Sequence, residues 1–162
     1  MPASWEITSV RNNRILMGII IAGDLGVTID FTQAIRGLQL PPGSDWSLAK
    51  GMPYGPARNT LAKAALENGY NLAFLDADVR IPPDAYMQLL ATGLPFVSGL
   101  YYQRFPPYLP CMFNEGRDAQ GTVTKVTVLG WKPGDIVPCD FIPGGLCVIR
   151  HHVLRTMFER FP

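Results

Sequence analysis

Charge is scarce in this sequence and balanced in sign. Only 17% of its 162 residues are charged, with 14 Lys and Arg against 13 Asp and Glu. A net charge of +1 offers no basic face for phosphate-backbone binding, so a nucleic-acid partner is not expected. There is no polybasic tail to hold an anionic membrane. The three cysteines, Cys111, Cys139 and Cys147, are odd in number and fit neither a CxxC nor a zinc spacing. They read as buried thiols of a reducing compartment. The longest apolar run, Ile15 to Gly23, is too short to span a bilayer. It is followed by Asp24 and Leu25 rather than by a small-residue cleavage pattern, so it is not a signal peptide. The expectation is a soluble cytoplasmic chain with no transmembrane segment. Two nucleotide-binding fingerprints are also missing. Gly23-Asp24-Leu25-Gly26 is not GxGxxG, and there is no GxxxxGK[ST] loop.

What is present suffices for one core. Hydrophobic residues make up 48%, which excludes disorder over most of the chain. Ile15 to Ala22 reads as a strand buried on both faces, with a turn at Gly23, Asp24 and Gly26. A short helix follows from about Thr28 or Asp30 to Leu38. After the Pro41-Pro42-Gly43 break comes a short strand at Trp46 to Ala49. The next helix takes Gly55 as N-cap and Pro56 as its first residue, and Gly69 sits where a left-handed cap belongs. Leu72 to Leu75 is a buried strand that runs into Asp76-Ala77-Asp78. Pro82 and Pro83 open a helix through Ala91, and Phe96 to Tyr102 is the next strand. This alternation predicts an α/β fold with a mostly parallel sheet, the strands near 15–22, 72–76 and 96–101 lying side by side. Beyond Arg104 the pattern changes to a proline-rich loop, strands at Thr122–Leu129, Ile136–Phe141 and Leu146–Ile149, and a last amphipathic helix. These make a smaller C-terminal β element and a final helix.

Asp76 and Asp78 carry the chemical argument. A DxD pattern by itself is common, but these carboxylates stand at the C-terminal end of an apolar strand, the edge where open α/β sheets bind ligands. Two carboxylates one residue apart on a turn can hold a hard divalent cation and leave room for water and diphosphate. The alternative is that they cap the following helix or are merely solvated. Arg58, in the first turn of its helix, is a bidentate donor for phosphate or a surface arginine paired with a carboxylate. Asp24 ends the first strand and either bonds a base or ribose or shapes a turn. Gly144-Gly145 permits close backbone approach to a ligand or makes a tight turn. Tyr101, Tyr102 and Arg104 leave a strand toward the ligand edge, where flat side chains with polar tips suit sugar rings or an interface. The adjacent His151 and His152 point about 100° apart on a helix and read as a solvated helix start, not a metal pair.

The run Ala57-Arg58-Asn59, then Leu72 to Asp78, then Phe96 to Tyr102, then Pro143 to Arg150 resembles GT-A-fold glycosyltransferases of the DxD type. The resemblance covers most of the chain. It implies a single domain, with a nucleotide-binding half at about 14–104 and an acceptor-side half at about 105–162. It further implies Mn²⁺ or Mg²⁺ held directly by Asp78, with Asp76 at the ribose or on the metal through water. Asp24 and Arg58 would bind nucleotide, and Tyr101, Tyr102, Arg104, Gly144 and Gly145 would face the donor or acceptor sugar. The donor would be a UDP- or GDP-sugar. Such enzymes commonly continue with a further acidic motif that supplies the base. This sequence stops at Phe161-Pro162, which implies a short form, a boundary, or chemistry arranged differently. Among the remaining acids Asp140 is the expected base, because turns and helices explain the others. Two further readings remain: a binding module that does not turn over, and a phosphatase resembling the haloacid dehalogenases, whose DxD supplies a nucleophile.

Overall fold

A computed structural model describes residues 13–21 and 27–161. The chain forms two compact units. The first runs to Val97 and resumes at Gly144; the second is Ser98–Pro143.

The first unit is built on a five-stranded sheet. Its first strand, β1 (Ile15–Ile21), is apolar throughout and buried along nearly all its length. Parallel partners flank it: β2 (Asp45–Lys50) on one side and β3 (Asn71–Asp76) on the other. Such double burial is what an unbroken Ile/Leu run requires. Beyond β3 lies β7 (Leu146–Ile149), and beyond that β4 (Phe96–Ser98), giving the order β2-β1-β3-β7-β4.

Here the structure corrects the expected sheet. β7 runs antiparallel to β3, pairing Leu72 with Ile149 and Leu75 with Leu146, so the sheet is mixed and not mostly parallel. The strand at 96–101 does not adjoin β3 either, because β7 lies between them. The cause is in the residues. Leu146, Cys147, Val148 and Ile149 are all buried and need cover on both faces, whereas β4 is a three-residue, half-exposed strand that tolerates an edge. The division of the chain follows from this. Residues from Gly144 onward return to the first unit.

Four helices are described. α1 (Ile29–Arg36) is capped by Thr28, whose hydroxyl accepts from the Phe31 N–H at 3.1 Å. The longest, α2 (Tyr54–Glu67), begins two residues before Pro56. Pro56 still lies in the first turn, where a missing N–H leaves no bond unmade. Gly69 follows its end at φ +69°, a conformation that favours glycine. α3 (Ala85–Ala91) and α4 (His151–Arg160) complete the set. Ala57, Leu61 and Ala65 of α2 pack with Leu72, Phe74, Cys147 and Leu154 in one cluster. None of the described helices is long and apolar enough to cross a membrane.

The second unit holds a hairpin, β5 (Phe113–Arg117) against β6 (Val123–Thr127). Ile136–Phe141 is not a strand: among these residues Phe141 alone makes a bridge, to Phe113. The hydroxyl of Ser98 donates to the carbonyl of Pro143 at 2.9 Å and draws the two ends of this unit together.

Arg150, only 7% exposed, ties the start of α4 to the end of α3, the loop after it and the residues before β1. Its guanidinium donates to the carbonyls of Leu90 (2.7 Å) and Leu94 (3.4 Å) and to the Asn13 side chain (3.1 Å). Arg150→Leu strands these acceptors. We expect a loss of about 2–3 kcal/mol, read from the urea midpoint. An unchanged midpoint would remove Arg150 from the account.

Candidate functional site

The candidate site begins where β3 ends. Asp76 is the last residue of β3, and its carbonyl accepts from the Val79 N–H at 3.1 Å. That closes a turn through Ala77 and Asp78 and leaves Asp78 exposed at the C-terminal edge of the strand. Neither carboxylate caps the next helix, since the cap position of α3 is Asp84. After the turn, Arg80 makes an ion pair with Asp30 in the first turn of α1.

β7 supplies the neighbour. Leu75 pairs with Leu146, so the preceding residue, Gly145, comes level with Asp76, and the Asp76 N–H donates to the Gly145 carbonyl at 2.9 Å. One residue further back, Gly144 faces Arg58. A methyl group built on Gly144 would stand 2.9–3.0 Å from Nη1, Cζ and Nη2 of Arg58. Near-equal distances to three atoms of one plane mean that the guanidinium lies flat against the glycine. Lacking a side chain here is therefore what lets Arg58 lie down beside β3.

Arg58 begins the second turn of α2 and reaches Asp76, Nη2 to Oδ1, at 3.4 Å. The start of α2 therefore lies at the C-terminal end of β3. The guanidinium carbon is 5.5 Å from the Phe74 ring and 5.6 Å from that of Tyr54, which stands one turn earlier on α2. Its Nε is buried with no partner among the described residues. An arginine has five donors, so this one retains hydrogen-bonding capacity for a ligand.

Burial is the main influence on Asp76, whose side chain is 20% exposed, and it pushes the carboxyl pKa above the usual value. The Arg58 charge opposes that rise and the Asp78 charge adds to it. Beneath them the buried thiol of Cys147 is pushed up to about 12, chiefly by burial, so it stays protonated and is no nucleophile at neutral pH.

Asp76 and Asp78 suit a hard cation. Both offer carboxylate oxygens, and a cation would offset the burial and the Asp78 charge that disfavour the ionised form of Asp76. Among the described residues no group of three or more His, Cys, Asp or Glu converges. Such an ion would then take its other ligands from water and a bound anion, as Mg²⁺-type sites do.

Five residues singled out in the sequence thus meet at one place: Arg58, Asp76, Asp78, Gly144 and Gly145. Asp24 lies outside the described residues. Tyr101, Tyr102, Arg104 and Asp140 belong to the second unit. There Tyr102 is exposed and its ring is 6.3 Å from that of Trp131, tilted by 52°. The Tyr101 carbonyl accepts from the Cys111 N–H, and Arg104 is exposed. The Asp140 carboxylate accepts from the Glu115 N–H at 2.8 Å, while the Asp140 backbone N–H donates to Oδ1 of Asn114 at 3.3 Å. Glu115 lies in β5 instead of on a turn. His151 is half-buried, with Nε2 3.2 Å from the Leu66 carbonyl, so it is not a solvated helix start.

Sequence reasoning missed two aromatic neighbours. Tyr54 was hidden because a helix starting at Pro56 leaves it outside, whereas i, i+4 spacing to Arg58 would have revealed it. Trp131 sits in a loop that carries no periodic signal.

The raised pKa of Asp76 has a consequence for stability. The folded state holds this proton to higher pH than the unfolded chain, so ionisation weakens folding as pH rises past the unfolded value. Asp76→Asn removes the penalty. Its stability relative to wild type should rise between pH 3 and pH 7 in urea titrations; a relative fall over that range would contradict the assigned cause.

Comparison with protein-family models, with characterised proteins and with solved structures finds no match to this chain.

Proposed function

We propose that this chain binds a nucleoside-diphosphate sugar, UDP- or GDP-linked, and transfers the sugar to an acceptor with the help of a divalent cation. One observation carries the reading: an arginine, a DxD turn and two backbone glycines meet at the C-terminal end of β3. That combination matches the chemistry of a metal-bound diphosphate. A GT-A-like arrangement of the fold belongs to the same proposal.

In this reading Asp78, exposed on the turn, is the direct ligand of Mn²⁺ or Mg²⁺. Asp76 completes the donor pair or contacts the ribose. A bound cation would stabilise the negative charge that builds on the departing nucleoside diphosphate. Arg58 donates to a phosphate or ribose oxygen through the capacity that Asp76 leaves unused. Gly144 keeps the guanidinium flat. Gly145 anchors the strand end through its carbonyl. The family resemblance, not a placement in the fold, assigns Tyr101, Tyr102 and Arg104 to the sugar. Transfer breaks the bond between the anomeric carbon and the β-phosphate oxygen and forms one to an acceptor hydroxyl oxygen. The acceptor's proton needs a base, for which Asp140 is the candidate.

A second reading has its own support. The Asp140 carboxylate is engaged by the Glu115 N–H, which gives it a structural task in the second unit. Binding of donor without turnover accommodates that task.

Calorimetric titration with UDP and GDP, with and without Mn²⁺, tests the proposal. Wild type should bind more tightly with metal, and Asp78→Ala should lose at least tenfold of that affinity with its circular dichroism unchanged, because an exposed turn carboxylate adds little to the core. Equal affinity in the two proteins would overturn the site. Release of nucleoside diphosphate from a nucleotide-sugar marks a transferase, and its absence despite tight binding marks a binding module. Hydrolysis of simple phosphate esters would instead identify the phosphatase.

A further inference from the structure

We infer that Tyr54 is the stacking surface of a nucleobase subsite. The inference rests on the nucleotide reading of the Arg58–Asp76 site and adds the residue that receives the base.

Tyr54 is the first residue of α2 and Arg58 lies one turn later. Side chains on a helix lean toward its N-terminus, so Arg58 extends back over the turn that carries Tyr54. The guanidinium carbon is 5.6 Å from the Tyr54 ring centroid and 5.5 Å from that of Phe74. The two rings are placed differently. Phe74 is 5% exposed and belongs to the core, whereas Tyr54 is 51% exposed. An aromatic that served only to flank the arginine gains by being covered, as Phe74 is. Tyr54 leaves half its surface in water, immediately beside a guanidinium with an unpartnered buried Nε.

The order of groups is the second part of the argument. From the Tyr54 ring it is 5.6 Å to the guanidinium carbon, and from Nη2 3.4 Å to the Asp76 carboxylate, next to which stands Asp78. An aromatic face, a planar cation and a carboxylate pair therefore follow one another. A nucleoside diphosphate presents its parts in a matching order: a flat base, a ribose, then the diphosphate that would carry the metal. A ring face accepts any base, because stacking needs only a π-surface. Tyr54 therefore sets affinity for nucleosides as a class, and this placement does not discriminate among bases.

The experiment compares two probes on three proteins. Wild type, Tyr54→Ala and Tyr54→Phe are each titrated with inorganic pyrophosphate and with UDP and GDP, all in Mn²⁺. Tyr54→Ala should weaken UDP and GDP by about ten- to a hundredfold, the usual loss when a stacking aromatic is truncated. Its pyrophosphate affinity should stay within about twofold, because Asp76, Asp78 and Arg58 remain. Tyr54→Phe keeps the ring and should stay within about threefold of wild type for every probe. Unchanged nucleotide affinity in Tyr54→Ala would overturn the base subsite while leaving the diphosphate site standing. Equal loss for pyrophosphate and nucleotide would also overturn it, since Tyr54 would then act only by supporting Arg58. A wild type that binds neither probe would sink the nucleotide reading itself, and the subsite with it.

Discussion

Leu146 to Ile149 is apolar at all four positions and finds cover only inside the sheet, so the chain must return from its second unit to lie against β3. The candidate site depends on that pairing. It brings Gly145 level with Asp76 and sets Gly144 against the face of Arg58. A strand shifted by one residue would turn its side chains to opposite faces and lose the four-residue match. Packing thus fixes the register, and the register places the polar groups. The two glycines just before β7 set backbone against Arg58 and Asp76.

The electrostatics at this point run against stability. Asp76 is held where burial and the neighbouring Asp78 disfavour its charged form, and Arg58 offsets only part of the cost. A contact of 3.4 Å to an arginine with an orphaned Nε is an incomplete pairing. A carboxylate perturbed by burial beside an incompletely paired arginine is a candidate functional site. The contrast with Arg150 is instructive. That arginine has acceptors in Leu90, Leu94 and Asn13, and its role is structural. The two arginines of this unit thus differ in how fully each is satisfied among the described residues.

Local signals carried much of this into the sequence. β1 and β3 are legible as unbroken apolar runs, α2 by its terminal Gly69, and the DxD by its place after a strand. What stayed hidden was non-local. Four apolar residues announce burial but not the neighbour or the direction, so β7 was readable as a strand while its antiparallel place beside β3 was not. β5 contains Asn114, Glu115, Gly116 and Arg117 and has no strand-like alternation; it exists because β6 and Phe141 bond to it. Arg58 was legible as chemistry but not as a neighbour of Asp76, since that needed the start of α2 at the sheet edge. Asp140 was singled out because nothing in the sequence explained it, and its hydrogen bond to Glu115 is an explanation only the folded chain supplies.

The central claim is that the end of β3 is a metal–diphosphate site. Crystals grown with Mn²⁺ and UDP or GDP, measured at a wavelength where manganese scatters anomalously, test it most directly. The account predicts an anomalous peak within bonding distance of Asp78, with diphosphate oxygens on the ion and Arg58 donating to the nucleotide. A peak elsewhere, or a nucleotide bound away from the turn that carries Asp76 and Asp78, would contradict it.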